Sequence, residues 1–469
     1  MIYTVCYRGQ RETPLPGLFL RHPSYRSNIS CGACTLYLFG TRFARSFVVL
    51  YLKKLHYGWT IAFLGALVFA INSFAIFGFG VFLKPMTDYF GWERGAISGA
   101  FSVAILIHGF LSIVTGRLSD RYGPRVLVTI AGLSLGAAFF LMSRLSQLWQ
   151  VYLFWGIFVG LGMSCSVVPI VSSIPRWFVK NRGTAMAIPS TGFAFGAVVA
   201  PLFIDSLISR YGWQQAFVIL AFIPAIVTPI AAQFLKRDPG QMGIELYGGA
   251  AAIEEDPADL PEWSLSFTQA VKTVRFWAFG LMHFCAGFYL QTVTVHIVPR
   301  AIDVGNSEVA AAAILSIIAG TSAFGRFFSG VLADKLSSRK IMSACLFVMA
   351  LALVILLFAR QVWAFSTFAT VFGLASGAFV TLLAIVVSDL FGLKSMGAIL
   401  GAIMLFGTVG GAVGAPLSGH IFDVTGSYNV AFTVGIVIAV AAAGLSLVLL
   451  RPVKKGPEVS PFSGATSPY

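Results

Sequence analysis

The decapeptide GRLSDRYGPR (residues 116–125) returns 214 positions later, degenerate, as GVLADKLSSR (330–339). Gly116, Leu118, Asp120, Arg121 and Arg125 fall on Gly330, Leu332, Asp334, Lys335 and Arg339. A second match follows at a spacing of 215. There GAVVAPLFIDSLISRYGWQQAF (196–217) meets GAVGAPLSGHIFDVTGSYNVAF (411–432), and Ala200-Pro201-Leu202 falls on Ala415-Pro416-Leu417. Self-similarity at one long period marks a chain built by duplication, so the two halves share one architecture and one orientation.

The solvent of that duplicated unit is lipid. Of 469 residues, 57% are hydrophobic and only 11% charged, with a mean hydropathy of +0.85. A soluble core of this size has no room for so much apolar surface. Apolar runs of about 20 residues, the length a bilayer requires, predict spans near 59–83, 96–116, 125–143, 149–171, 185–209, 214–235, 275–298, 309–332, 340–359, 362–388, 396–419 and 429–450. The expected fold is an all-α membrane protein: twelve transmembrane helices in two pseudo-symmetric six-helix bundles, residues 55–235 and 273–450. A cytoplasmic linker, 236–272, joins them. Its Asp238-Pro239-Gly240 and Gly248-Gly249 are turn signals, and Ser266 with Gln269 forms a capping box that opens a short helix before the seventh span. Residues 1–54 read as a basic extension without regular structure, or as an over-long start, and 451–469 as a cytoplasmic tail.

The net charge of +14 invites a nucleic-acid reading, which its distribution excludes. With the N-terminus inside, 25 of the 32 Lys and Arg residues fall on the cytoplasmic side and six near the outer ends; Arg326 alone lies within a span. This is the positive-inside pattern of a multi-pass cell-membrane protein with both termini cytoplasmic. Six cysteines include Cys31 and Cys34 at CxxC spacing, but no second pair or histidine cluster completes a metal site. Neither a nucleophile elbow nor a catalytic carboxylate pair is present, so no enzyme and no cofactor is expected.

The loop 116–125 and its copy resemble the signature loop of the major facilitator superfamily, and the resemblance covers about residues 55–450. It implies two rocking halves and a gating latch that stabilises the outward-open state, formed by Gly116, Asp120, Arg121, Arg125, Asp334 and Arg339. The residues carry their own physics. Gly116 permits close helix contact, Asp120 is an anion able to cap a helix N-terminus of the other half, and the arginines can pair with carboxylates.

Scaffold parts recur in both halves, whereas substrate chemistry tends to break the symmetry. Arg326 has Ser112 as its counterpart and therefore no twin. It lies eight residues before Asp334, about 12 Å of helix inward. At that depth an uncompensated Arg costs about 2.5–3.5 kcal/mol on the lenient insertion scale. Its helical neighbours Ser322, Ala323, Ser329 and Gly330 offer no carboxylate. A guanidinium in a watery cavity is then a fork for an incoming carboxylate; bonding to backbone carbonyls of a neighbouring helix is the other reading.

FGVFLKPMTDYFGWERGAIS (79–98), PRWFVKNRGTAMAI (175–188) and HIVPRAIDVGNSEVAAA (296–312), with Gly325-Arg326, resemble the monocarboxylate transporters and the oxalate:formate antiporters. That resemblance implies that Arg326 pairs with a substrate carboxylate. Departures accompany it. Phe406 stands where the antiporters carry a lysine before Gly407-Thr408, which argues against a dicarboxylate. Ser322 stands where the animal transporters carry a proton-coupling Asp, and Phe77 where they carry a lysine.

The expected substrate site is Arg326 with Asn72, His108, His283 and Ser322, the histidines being alternative proton carriers. The leading reading is a secondary transporter, acting as a monomer, that moves a small organic anion, a monocarboxylate, with a proton or counter-anion as coupled species. The alternatives are an efflux carrier for neutral or cationic compounds, with an apolar cavity lined by Phe74, Phe77 and Phe324, and a non-transporting membrane sensor.

Overall fold

The computed structural model describes residues 56–248 and 264–450; the N-terminal extension, the middle of the linker and the C-terminal tail lie outside the described residues. Among the described residues, eleven helical runs are long and apolar enough to cross a membrane. One of them, Arg182–Gln233, has 52 residues, or about 78 Å of helix against about 30 Å of hydrocarbon. It leaves helical geometry at Gly212, where φ is 78° and ψ 163°, and so makes two spans. The total is the expected twelve.

The first bundle comprises α1 (Tyr57–Phe90), α2 (Arg94–Tyr122), α3 (Pro124–Met142), α4 (Leu148–Arg176), α5 (182–211) and α6 (213–233). The second comprises α7 (Val274–Asp303), α8 (Glu308–Ala333), α9 (Ser338–Phe358), α10 (Val362–Phe391), α11 (Met396–Thr425) and α12 (Tyr428–Leu450). Several helices outrun the predicted spans: α1 continues to Phe90 and α2 to Tyr122. Hydropathy finds where hydrocarbon ends, while backbone hydrogen bonding carries the helix on into the polar zone.

The duplication reappears in the packing. Within the first bundle α1 packs on α5 and α2 on α4; within the second α7 packs on α11 and α8 on α10. Small residues make these approaches possible, as lipid tails offer no hydrophobic drive for helix pairing. Gly192 lies against the Ala66 backbone of α1, and in the second half Gly410 and Gly414 lie against the carbonyls of Phe284 and Phe288 on α7. The glycine-rich run 407–416 is thus a packing surface. Between bundles, α2 meets α11 and α5 meets α8, again a symmetric pair of crossings.

The linker is anchored on both bundles. Tyr247 exchanges backbone hydrogen bonds with Trp177 and Val179 after α4. On the far side Ser264 Oγ accepts from the Leu393 and Lys394 N–H groups, and Ser266 with Gln269 forms the predicted capping box of the short helix Phe267–Val271.

Candidate functional site

At the end of the molecule carrying the repeated loops, the two loop acids reach across to the opposite bundle. Asp120 accepts hydrogen bonds from the Gly397 and Ala398 N–H groups at the start of α11, at 3.1 and 3.0 Å. Asp334 accepts from the Gly183 and Thr184 N–H groups at the start of α5, at 2.6 and 2.9 Å, and from the Thr184 hydroxyl. Positions 183 and 184 are 214 residues from 397 and 398, so the two caps obey the same duplication as the loops. Each carboxylate satisfies N–H groups a helix leaves orphaned and sits at the positive end of its dipole. Gly116 and Gly330 let the backbones meet there: a methyl group on Gly116 would run into the Gly397 carbonyl, and one on Gly330 into the Gly183 carbonyl.

The cation at this contact comes from an unexpected place. Arg176, at the end of α4 and 8% exposed, donates to Asp120 at 3.0 Å, to the Leu393 carbonyl of the other bundle at 2.9 Å, and reaches Asp238 of the linker at 3.5 Å. Arg121 and Arg125 stay within their own half. The Arg121 carbonyl accepts from Arg237 and its guanidinium lies over Tyr122, while Arg125 Nε donates to Gln233 on α6. Arg339 lies in the first turn of α9. One further tie crosses the bundles at this end, and another reaches the short helix at the end of the linker. Arg182 pairs with Asp389 at 3.7 Å, and Arg117 stacks over Phe267, 4.6 Å from the ring centroid. The signal for Arg176 and Arg182 was available in PRWFVKNRG, but near a membrane end each also serves the positive-inside count, which hides a pairing role.

Arg326 sits one helical turn from Gly330, on the face of α8 that α5 covers. Its guanidinium carbon lies 5.5 Å from the ring centroid of Phe193 on α5, so it reaches across to the other bundle. Among the described residues no carboxylate forms an ion pair with it. The Phe193 ring in turn meets Phe77 of α1 at 5.8 Å, inclined by 60°. Ser322, one turn further along α8, offers its backbone to the glycine-smooth face of α10 at Gly377.

The remaining candidates are spread over three helices. Asn72 is 1% exposed and donates to Ser166 Oγ of α4 at 2.8 Å, inside the first bundle, with its Oδ1 unpartnered. His108 lies on α2 beside Gly109, whose absent side chain makes room for Thr408 of α11. His283 of α7 stacks on Phe379 at 5.5 Å and fills the space that Gly407 leaves open. Among the described residues, the Nδ1 atoms of both histidines are buried without a hydrogen-bond partner. The aromatic trio of the apolar alternative is not assembled. Phe74 meets Phe203 and Phe77 meets Phe193, while Phe324 is 62% exposed and lies about 200° around α8 from Arg326.

Known proteins share this architecture. A family profile described as Major Facilitator Superfamily matches residues 65–335 and 279–468. Monocarboxylate transporter 13 of Bos taurus is 26% identical over 427 residues, covering 88% of this chain and 92% of its own length. The agnestins efflux protein of Paecilomyces divaricatus is 25% identical, with 80% and 83% covered. Among solved structures, the transporter FucP in the outward conformation superposes with a TM-score of 0.64 at 17% identity, over 83% of this chain and 98% of that one. With the duplicated bundles, the paired loop caps and a profile match spanning both halves, this chain belongs to the Major Facilitator Superfamily.

Proposed function

We propose that the protein is a secondary transporter of a small organic anion, a monocarboxylate, working by alternating access around Arg326. One observation carries the reading. Arg326 lies a turn beyond the close Gly330–Gly183 contact of α8 with α5, and its charge is met by an aromatic ring and by no acid among the described residues. A guanidinium placed so keeps its hydrogen-bonding edge for a ligand carboxylate, which it holds bidentately. The similarity to a monocarboxylate transporter supports this choice of cargo.

In this reading the loop end is cytoplasmic, as the charge distribution demands, and the described conformation is closed there and faces outward. Substrate bound at Arg326 favours parting of the Asp120 and Asp334 caps, and the bundles rock about the site. His108 and His283, with unpartnered ring nitrogens, are the groups we assign to proton coupling.

A second reading, export of an uncharged compound, draws on the similarity to the agnestins efflux protein and on the phenyl rings beside Arg326. Uptake into proteoliposomes separates the two. Arg326→Ala is expected to abolish transport of radiolabelled monocarboxylates while leaving the folded yield unchanged. A folded variant that transports at the parental rate refutes anion binding by this residue and favours the second reading. The same assay with an imposed pH gradient tests coupling.

A further inference from the structure

We infer that the anion taken by this site is a monocarboxylate with a ring-sized apolar body, an aryl acid, rather than one of the size of acetate or lactate. The inference rests on the reading of Arg326 as the carboxylate-binding group and goes beyond it by naming the rest of the ligand.

The Arg326 guanidinium carbon lies 5.5 Å from the Phe193 ring centroid, so aromatic carbon flanks the group on that side. A carboxylate is taken through the N–H edge of the fork, in its plane. A ligand held on this group has the Phe193 ring for a neighbour, and the ring beside Phe193 is Phe77. Phe77 is 39% exposed although it stands in the middle of a long helix. Its ring lies 5.8 Å from that of Phe193, the ring the Arg326 guanidinium faces, so the two neighbour one another through Phe193. One turn back on the same face of α1, Phe74 meets Phe203 of α5 at 6.0 Å and 78°. The rings meet edge to face, an arrangement that leaves ring faces available for a further aromatic group.

The charge count restricts the ligand further. Among the described residues Arg326 is the one cation found over any of these four rings, and it lies over Phe193. A second carboxylate would be buried against phenyl carbon with no partner, which is strongly unfavourable. An acid with one or two carbons beyond its carboxylate would satisfy the fork and leave Phe77 uncovered. An aryl body would cover it and gain the corresponding burial.

The test is competition in proteoliposomes holding the full-length protein, with radiolabelled phenylacetate as probe and unlabelled phenylacetate, acetate, lactate, oxalate and phenylacetamide as competitors. Phenylacetate is expected to compete at least roughly tenfold better than acetate or lactate, the advantage expected from burying a ring. Phe77→Leu is expected to narrow that advantage to below about threefold, and Phe77→Tyr, which keeps the ring, to restore it. If acetate and lactate compete as well as phenylacetate, or if Phe77→Leu leaves the ratio unchanged, the aryl body is overturned. Continued loss of transport in Arg326→Ala would then leave the carboxylate reading standing. If phenylacetamide competes as well as phenylacetate and Arg326→Ala is indifferent, the carboxylate reading fails, and this inference with it.

Discussion

At residue scale the informative comparison is between one half and the other. Position 108 corresponds to 322 and position 112 to 326, so His108 and Ser112 of α2 stand where Ser322 and Arg326 stand on α8. Each inner helix thus carries one ionisable side chain and one hydroxyl a turn apart, in opposite order. The partner positions differ too: Arg326 meets Phe193 on α5, whereas on the other crossing Thr408 of α11 fills the space beside Gly109. If the site depends on a planar fork, a lysine is no substitute, since an ammonium keeps the charge but loses the bidentate geometry and the stacking. Arg326→Lys is expected to lower transport by about 10- to 100-fold, the worth of a charge-assisted hydrogen bond, measured as initial uptake rate at fixed protein. Gly407 gives a second prediction. A methyl group there would strike the His283 ring, so Gly407→Ala is expected to cost about 1–3 kcal/mol, the usual penalty of overpacking. A thermal melt of the detergent-solubilised protein would read it.

At the scale of the elements, the contact between the bundles at the loop end is a pair of helix N-termini, each with an acid supplied from the other bundle; a gating role for it is part of the proposal. Charge is part of its strength. Asp120→Asn keeps the shape but removes the interaction with the α11 dipole and with Arg176, and is expected to weaken the closed state by about 0.5–2 kcal/mol. Arg176→Gln acts on more partners, as it releases Asp120, Asp238 and the Leu393 carbonyl together. It should therefore shift the population further than Asp120→Asn. Distances between spin labels on the loop ends of α5 and α8 would record both shifts as growth of a longer component. The acids of this latch were legible in the repeat, since Asp120 and Asp334 recur at one spacing. The cation was not. Arg121 and Arg125 belong to the repeated motif and turned out to serve their own bundle, whereas Arg176 lies 56 residues from Asp120 with no local pattern to join them.

At the scale of the whole molecule, the two caps and the two glycine crossings make one closed end out of two copies of one contact. A rigid rocking of the bundles must break both caps at once. The caps are separate sites with no shared partner, so their energies should add. The double variant Asp120→Asn with Asp334→Asn is expected to reduce the closed-to-open ratio by the product of the two single-variant factors, again read from the spin-label distances. A shortfall would mean that one cap already opens while the other holds. The linker fits a rocking movement, because its two ends are fixed to different bundles, at Tyr247 on one and Ser264 on the other.

By itself the sequence determined the twelve crossings, the duplication and the isolation of Arg326, because hydropathy, long-period repetition and the lack of a nearby acid are all properties of order along the chain. Only the tertiary structure decided that Arg176 completes the Asp120 cap, that Arg326 rests on Phe193, and that Asn72 turns inward to Ser166. Those contacts join helices far apart in sequence. Their partners are chosen by how closely glycine-lined surfaces approach and at which turn two helices cross, and neither quantity leaves a periodic trace in the order of residues.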